Sequence, residues 1–581
     1  MRRILLALGV LMLAGTSSAL AQQVTPIVHE LENGMKFLLI PRPGDPNISA
    51  GWITKVGSVD ESAGITGVAH LFEHMMFKGT ETIGTTDAEA DRRVIEHLDS
   101  LKAQIRRHEQ ELVRQQRLGL IDDWKNPEHR TTEHQDLLDD FETVLGEQKG
   151  LIIKDDFDRI YTGQGASGMN AGTSNDFTVY FINVPANKLE LWFWMESDRL
   201  DNPVFREFYS ERDVVHEERR LRVDSTPTGL LDEQFNAMFW ESSPYGWPVI
   251  GWPSDLYGLT RPEALDFFDV YYAPNNLAAA LVGDFDPDEA IEWAEQYFGR
   301  IPRGPREPEP VRTWEMEQQG EKRMTGTAET TPQVRIRYHT VADGHVDEPA
   351  LLVLGQILSG RTGRLFKSVV EEQELATQAS GGQNGLKYAG YFELVAQAKG
   401  ETPPEDVEAA IYAELVRLQN EPVGERELQK VKNRNAAGEY RRLQSSFGLM
   451  VQLLIFESGR GWDTLNTSGR ELQAVTAADI QRVANTYFES DSRSVAVYYR
   501  KASEEPEDPR LAGLDAQERQ TIAMVQQQLA GATVEQVGLL QQQLTQMEGQ
   551  SAQVPPENQD MFQLMVELIR ARLAELQEEG E

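Results

Sequence analysis

The sequence contains no cysteine. Disulfides therefore cannot stabilise the fold, and a lipid anchor on a cysteine is excluded. Zinc sites made of thiolates are excluded too, so any metal must be held by histidine, aspartate or glutamate. Basic residues are few, with 56 lysines and arginines against 93 acidic residues and a formal net charge of −37. This balance argues against nucleic acid or an anionic membrane surface as a partner.

Long apolar runs are confined to the N-terminus. Arg2 and Arg3 precede the apolar segment 4–14, and an A-x-A site ends at Ala21. This pattern predicts a secretory signal peptide over residues 1–21, and the loss of its two arginines changes the formal charge from −37 to −39. No later run reaches the ~20 residues that a membrane-spanning helix needs. We therefore expect a soluble protein in the periplasm or outside the cell.

The chain contains an internal repeat. The segment "LTRPEALDFFDVYYAPNNLAAALVGDF" begins at Leu259, and "VTAADIQRVANTYFESDSRSVAVYY" begins at Val475. Each has the pattern of a capped amphipathic helix, a turn and a strand. Two copies of one α+β unit are the simplest interpretation. We therefore predict a first domain at residues 24–301 and a second domain, without a zinc motif, at residues 314–500. A Pro-rich linker, residues 302–313, joins them, and an acidic, Gln-rich helical extension follows at residues 501–581.

Two segments fit neither copy of the repeat. Residues 87–150 are strongly charged, with a break at "DDWKNPEHR", and we predict that they form an inserted helical hairpin whose apolar stripe is Leu98, Leu101, Ile105 and Leu112. In the extension, one amphipathic helix is predicted through Phe562, Val566, Ile569 and Leu573. Each segment is either a partner-binding arm or a solvated element packed on its own domain.

The stretch "HLFEHMMFKGT", residues 70–80, carries two histidines and a glutamate in an apolar helical turn. On a helix, His70 and His74 project from one face, and Glu73 lies beside them. Two imidazoles can hold a divalent metal while a carboxylate acts on the metal-bound water. A zinc site needs a third ligand from elsewhere. The alternative is a pair of hydrogen-bonded histidines near the surface.

The H-x-x-E-H order resembles that of the inverzincins, the pitrilysin/insulinase metallopeptidases that include mitochondrial processing peptidase. The resemblance extends through three segments, "GSVDESAGITGVAHLFEHMMFKGT", "GMNAGTSNDFTVYFINVPANKLELWFWMESDRL" and "FYSERDVVHEERR". With the repeat, it covers most of residues 30–500. It implies an exported bacterial zinc metalloendopeptidase with an α+β fold, in which two homologous sheet-plus-helices domains form half of a clam-shell.

By motif position, the resemblance implies one zinc ion per chain, with His70 and His74 as ligands and Glu73 as the general base. The last glutamate of E-R-x-x-V-x-x-E supplies the third ligand, which here is Glu218, and Glu211 would orient a ligand histidine. Glu217 is a rival third ligand that sits ~100° round the helix, and His216 is expected at the surface.

The resemblance also implies how substrate binds and reacts. Two imidazoles and one carboxylate leave zinc an open position for water, from which Glu73 accepts a proton as the peptide carbonyl is attacked. In the family, the segment that holds Asn170 and Ala171 is an edge strand to which substrate adds by β-augmentation. Extended or unfolded peptides are therefore the expected substrates.

One departure from the family pattern bears on partners. Family members carry an Arg and a Tyr seven residues apart in the second half, and the matching positions here are Val370 and Thr377. We therefore expect a heterodimer with a homologue that supplies the Arg/Tyr pair. A homodimer that uses Arg361 or Arg364 is the alternative.

Two other classes of function compete with the peptidase. The same fold could serve as a non-catalytic peptide-binding or scaffold subunit, but the presence of all four zinc-site residues favours the enzyme. A metal-storage protein would carry His-rich tracts, whereas the ten histidines of this chain are scattered.

Overall fold

The computed structural model describes residues 23–501, 509–511, 514, 516–530, 532, 536–550, 554 and 559–579. The predicted signal peptide lies outside the described residues. Two compact units are present, one ending at Arg500 and the other beginning at Lys501. Within the described ranges, no helix is both long enough and apolar enough to cross a membrane.

The first sheet has six strands in the order β1-β2-β6-β3-β5-β4. Strands β2 and β6 are parallel, and the other neighbours are antiparallel. The strands are β1 Ile27–Glu30, β2 Lys36–Pro41, β3 Asn47–Thr54, β4 Ser167–Thr173, β5 Thr178–Pro185 and β6 Leu277–Gly283.

The second sheet has five strands in the order β7-β11-β8-β10-β9, with β7 and β11 parallel. They are β7 Lys322–Ala328, β8 Gln333–Thr340, β9 Ala376–Gly385, β10 Gly390–Ala398 and β11 Arg493–Arg500. This order and these directions repeat those of β2-β6-β3-β5-β4 in the first sheet. The predicted α+β fold class of two homologous halves is confirmed.

The helices of the first half are α1 Val68–Met75, α2 Ala88–Arg117, α3 Thr132–Leu151, α4 Asp156–Gly163, α5 Leu189–Asp201, α6 Phe208–Arg219, α7 Gly229–Phe239, α8 Pro253–Gly258, α9 Arg261–Tyr271 and α10 Pro287–Trp293. Those of the second half are α11 Glu348–Leu358, α12 Pro404–Asn420, α13 Glu425–Gln444, α14 Ser446–Ser458, α15 Ser468–Ala474 and α16 Ala477–Tyr487. Short π-helical segments span Arg220–Asp224, Ala294–Phe298 and Phe366–Glu372.

The repeated helices α9 and α16 begin with the same device. Thr260 and Glu263 form a capping box at the start of α9, and Thr476 and Asp479 form one at the start of α16. Each box satisfies backbone N–H groups that the first helical turn leaves free. The strands β6 and β11 follow, so the predicted helix–turn–strand unit is confirmed in both copies.

The first sheet is buried on both faces. Phe37 and Leu39 of β2 belong to the core under the helices of the first half, whereas Leu38 faces the other side. That other side is covered by α14, through residues such as Leu453 and Leu454. An ion pair of 2.6 Å between Lys36 Nζ and Glu457 adds a polar contact. A helix of the second half therefore completes the core of the first.

The inserted segment forms two long helices, α2 and α3, that pack on each other. At its base, Asp91 forms a buried ion pair of 2.9 Å with Arg206, which lies shortly before α6. Arg206 also donates to the carbonyl oxygens of Lys78, Thr80 and Ile83, in the loop that follows α1. One arginine, just before α6, thus ties the hairpin to the loop that follows the histidine helix.

The second unit contains three helices among its described residues, α17 Ala516–Ala530, α18 Val537–Gln550 and α19 Gln559–Glu579. The predicted amphipathic helix is α19, and Ile569 and Leu573 are buried in its apolar face. Two further helices, α17 and α18, supply the apolar surface that covers that face. The domain boundaries stay a prediction.

Candidate metal centre

The histidine helix α1 begins in a conformation that only glycine tolerates well. Gly67 has a φ of 89°, and a Cβ there would lie 2.6 Å from the carbonyl oxygen of Ile250. The buried carboxylate of Glu61 accepts hydrogen bonds from the N–H groups of Gly67 (2.9 Å) and Ala69 (2.8 Å). These contacts satisfy free donors of the first turn and hold the start of α1 in place.

Three predicted ligands meet at one point. The Nε2 atoms of His70 and His74 lie 3.7 and 3.3 Å from Oε2 of Glu218, which is on α6. One ligand atom from each residue lies within 4.8 Å of the other two. The other oxygen of Glu218 pairs with Arg222 at 2.7 Å. The structure therefore brings together residues that are almost 150 positions apart in the sequence, by contacts between α1 and α6.

The donor set fits a divalent cation. Oε2 of Glu218 is buried and, within the described ranges, accepts no hydrogen bond. A buried carboxylate oxygen without a donor is costly, so its position beside two imidazole nitrogens favours a metal there. Two imidazoles and one carboxylate are ligands that catalytic zinc sites use, with one position left open. The residues present therefore fit zinc.

Glu211 lies where the resemblance implied. It is two helical turns before Glu218, and its Oε1 is 3.1 Å from Nδ1 of His74. Its other oxygen pairs with Lys78 Nζ at 2.5 Å. Burial raises the pKa of the Glu211 carboxyl, but the hydrogen bonds and charges of His74 and Lys78 outweigh burial and lower it. An ionised Glu211 fixes the His74 ring with Nε2 directed at Glu218.

The two histidines differ electrostatically. Burial, with the charges of His74 and Arg222, lowers the pKa of His70 to about 3. His70 is therefore neutral at neutral pH, which is the form that binds a metal. Burial also lowers the pKa of His74, but Glu211 and other nearby carboxylates outweigh burial and raise it. Nδ1 of His70 has no hydrogen-bond partner in the part of the chain that the structure describes.

The candidate general base, Glu73, is held by a residue that the sequence analysis missed. The hydroxyl of Thr173, the last residue of β4, donates to Glu73 Oε2 at 2.7 Å. Thr178 lies next in line, 3.4 Å from the Thr173 hydroxyl, and itself donates to the carbonyl oxygen of Val56. Thr173 stands in the N-A-x-T segment, so the motif contained the signal, but its contact with α1 is visible only in the fold.

Asn170 and Ala171 lie on β4, which is the edge strand of the first sheet. A cavity of about 340 Å³ opens beside them. Its walls include Glu73 and His74, and also the segment 152–157 that follows the inserted hairpin. The predicted substrate strand and the candidate base therefore border the same cavity.

The alternatives to Glu218 are resolved by position. Glu217 is exposed and pairs with Arg220 at 2.8 Å, so it is not part of the cluster. The expectation that His216 lies at the surface is wrong. His216 is half-buried, and its Nε2 is enclosed without a hydrogen-bond partner among the described residues.

The second half presents no Arg/Tyr pair at the matching positions. Val370 packs partly against the second core, and Thr377 is exposed on β9. Arg364 is engaged with Glu427 at 2.9 Å and with Glu414 at 3.4 Å. Arg361 is exposed and forms no ion pair within the described ranges.

Comparison with known proteins agrees with this geometry. A sequence profile described as "Insulinase (Peptidase family M16)" matches residues 36–110, and one described as "Peptidase M16 inactive domain" matches residues 258–435. Both profiles describe peptidase family M16, the insulinase family, so the resemblance predicted from the motifs is confirmed.

Named relatives are zinc proteases. The chain is 26% identical over 510 residues to "Zinc protease PqqE" of Helicobacter pylori, covering 86% of this chain and 98% of that protein. A solved protease from Helicobacter pylori matches with a TM-score of 0.67 at 23% identity, over 82% of this chain and 99% of that one. The periplasmic protease PqqL from Escherichia coli matches with a TM-score of 0.57 at 17% identity, over 82% of this chain and 48% of that one. At these identities, the two structural matches establish the fold alone.

Proposed function

We propose that this protein is an exported zinc endopeptidase that hydrolyses extended or unfolded peptides. The observation that carries the proposal is the position of Glu73. Its carboxylate is one residue from the ligand His74 and borders the same cavity as the edge strand β4. A general base beside a three-donor metal cluster and a free strand edge is suited to peptide hydrolysis.

When bound, zinc lowers the pKa of a water molecule toward ~7 and polarises the scissile carbonyl. His70, His74 and Glu218 would hold one ion per chain. Glu73 takes the proton of the attacking water and returns it to the leaving amine. Thr173 holds one oxygen of Glu73, which leaves the other free to move the proton.

Substrate would bind as an additional strand against β4. The edge of β4 offers backbone hydrogen bonds, and Asn170 is exposed on it. An extended peptide can pair with such an edge, whereas a folded protein has few segments free to do so. The cavity beside Asn170 and Ala171 would take a side chain next to the cleaved bond.

Export is supported by the signal-peptide pattern and by the periplasmic location given for the related PqqL fold. A cysteine-free chain also needs no particular redox environment to fold.

The function is tested by purifying the chain from a zinc-supplemented culture. We expect one zinc per chain. We also expect cleavage of an unstructured peptide when the preparation contains a homologue that carries the Arg/Tyr pair. Chelation should abolish cleavage, and added zinc should restore it. A zinc-loaded complex that binds the peptide without cleaving it would instead favour the scaffold function.

We further propose that the active enzyme is a heterodimer. The tetrahedral transition state develops an oxyanion that needs donors, and loss of such a donor commonly costs ~10²–10³-fold in rate. Val370 and Thr377 cannot replace an arginine and a tyrosine in that role. A homologue that carries the Arg/Tyr pair would supply them across the chamber. The ion pairs of Arg364 with Glu427 and Glu414 make it a poor substitute in a homodimer.

The heterodimer is tested by assaying peptide cleavage by the chain alone and then with the candidate homologue. We expect the partner to raise the rate by ~10²-fold or more. Replacement of the partner's arginine should remove that gain while leaving the complex intact by size-exclusion chromatography. High activity of the lone chain that the homologue does not change would contradict the proposal, and loss of that activity in Arg361→Gln would then identify the homodimer.

A further inference from the structure

A second cavity lies in the second half of the chain, between the end of α11, the π-helical segment Phe366–Glu372, α12 and α13. Its volume is about 720 Å³, which is in the range of sites that enclose small ligands. We call it the basic pocket, because its charged lining residues are Arg364, Lys367, Arg417, Arg426, Lys430 and Arg434, with the carboxylates Glu372, Glu414 and Glu427.

The charge of the basic pocket is opposite to that of the chain. Six cations and three carboxylates line it, whereas the whole sequence has 56 basic and 93 acidic residues. Internal pairing neutralises only part of the lining, because Arg364 and Arg417 share Glu414 and Glu427. Within the described ranges, no ion pair involves Lys367, Arg426, Lys430 or Arg434.

Three of these cations form a row on α13. Arg426, Lys430 and Arg434 are spaced by four residues, so they lie on one helix face at intervals of ~6 Å along the axis. Like charges at this spacing repel and destabilise a helix. None of the three forms an ion pair with a carboxylate of the described residues, and a bound anion would offset their repulsion.

The basic pocket also contains an uncharged side chain, Gln356, whose oxygen has no hydrogen-bond partner among the described residues. Oε1 of Gln356, at the end of α11, is buried and accepts no hydrogen bond from any described residue. A buried amide of this kind costs free energy unless a ligand or water satisfies it. Gln356 can offer either its oxygen or its N–H₂ group to a ligand. Thr362 and Ser368 also line the basic pocket.

We propose that the basic pocket binds a ligand with two or more clustered phosphate groups. Guanidinium groups bind phosphate through paired hydrogen bonds, and a lysine adds a point charge. A row of three cations suits anionic groups distributed along a ligand better than a single anion. The phosphates could belong to a soluble polyphosphate or to a lipid head group, and the test below distinguishes the two sources. This inference is independent of the proposed peptidase activity.

The test is calorimetric titration of the full chain with inorganic tripolyphosphate at low ionic strength. We expect saturable binding at one site, weakened by added salt. The double variant Lys430→Gln/Arg434→Gln should lower affinity at least ~tenfold, because hydrogen bonds to charged groups are the stronger ones. Gln356→Leu should also lower affinity, although it leaves the charge unchanged.

The matched control is Arg441→Gln/Arg442→Gln, which removes the same charge from exposed positions of the same helix. It should keep the affinity of the unchanged chain, and thermal unfolding should show that all variants fold. Vesicles with and without an anionic phospholipid identify the source: pocket-dependent binding to anionic vesicles but not to tripolyphosphate would assign a lipid head group. Absence of saturable binding to both probes, or equal losses in the two double variants, would overturn the proposal.

Discussion

The two halves of this protein share one strand order but differ in how a helix packs beside the edge strand, α1 beside β4 in the first half and α11 beside β9 in the second. In the first half, α1 presents Glu73 to β4, and a threonine hydroxyl bridges the two elements. In the second half, α11 approaches β9 so closely that a Cβ on Gly355 would lie 2.9 Å from the Cα of Gly382. The first half keeps a polar cavity where the second half closes the gap.

The comparison shows that, on the same strand order, a helix with polar side chains needs hydrogen bonds from other elements, whereas an apolar helix does not. The helix α11 is stabilised by apolar burial, with Leu351, Leu354 and Leu358 almost fully enclosed. The helix α1 buries His70 as well as apolar residues, and hydrogen bonds with Glu61, Glu211 and Thr173 hold its first turn, His74 and Glu73 in place. Fold alone therefore does not decide which half carries chemistry.

The largest expected effect is the loss of peptide hydrolysis in Glu73→Gln, a change in the first half. The variant should keep zinc, because the ligands are intact, and should lose ~10²–10⁴-fold in peptide hydrolysis, because only the proton acceptor is removed. Zinc analysis and a peptide assay on the complex measure both effects. Glu217→Gln is the matched control, since Glu217 is exposed and outside the cluster. Loss of zinc along with activity would assign Glu73 as a ligand instead.

The second prediction concerns the carboxylate that supports His74. Glu211→Gln should weaken zinc affinity by ~10–100-fold without abolishing the site, as changes to groups that hold a ligand typically do. A competitive chelator titration measures this, with Asp213→Asn, an exposed change on the same helix, as the control. If Glu211→Gln matches the unchanged chain, Glu211 does not hold the ligand.

The third prediction tests the bridge between α1 and β4. Thr173→Val keeps the shape of the side chain but removes the donor to Glu73, and a hydrogen bond to a charged group contributes ~1.5–3 kcal/mol. We expect kcat to fall about tenfold, at the lower end of that range, while KM and zinc content are unchanged. Thr173→Ser keeps the hydroxyl and should restore most of kcat. An equal loss in both variants would show that packing, rather than the hydrogen bond, matters.

The smallest expected effect on the candidate metal centre is that of Gly355→Ala, a change in the second half. Gly355→Ala should reduce the free energy of unfolding by ~1–3 kcal/mol, because the new methyl group meets backbone that must shift. Zinc affinity should not change. Gly382→Ala is the control, since a Cβ there has no heavy atom within 4 Å. Chemical denaturation compares the two variants. Equal stability would contradict the close packing of α11 on β9, and a fall in zinc affinity would show that the halves are coupled.

Local patterns in the sequence were sufficient to identify the repeat, the hairpin and the histidine helix. Capping boxes and helical periodicity involve residues three or four positions apart, so they can be recognised before folding. The E-R-x-x-V-x-x-E segment similarly placed Glu211 and Glu218 two turns apart on one face of α6. Together with the resemblance to the insulinase family, which implied Glu218, these signals named all three candidate ligands.

Only the tertiary structure decided which distant groups meet. The Thr173 hydroxyl reaches Glu73 across a hundred positions, and α14 of the second half covers the first sheet. Gln356 and the cations of α13 likewise come together only through the packing of α11, α12 and α13. Such contacts depend on which apolar faces are buried against each other, and no short-range pattern encodes that pairing. The sequence by itself determined the candidate chemistry, and packing determined the groups that hold it in place.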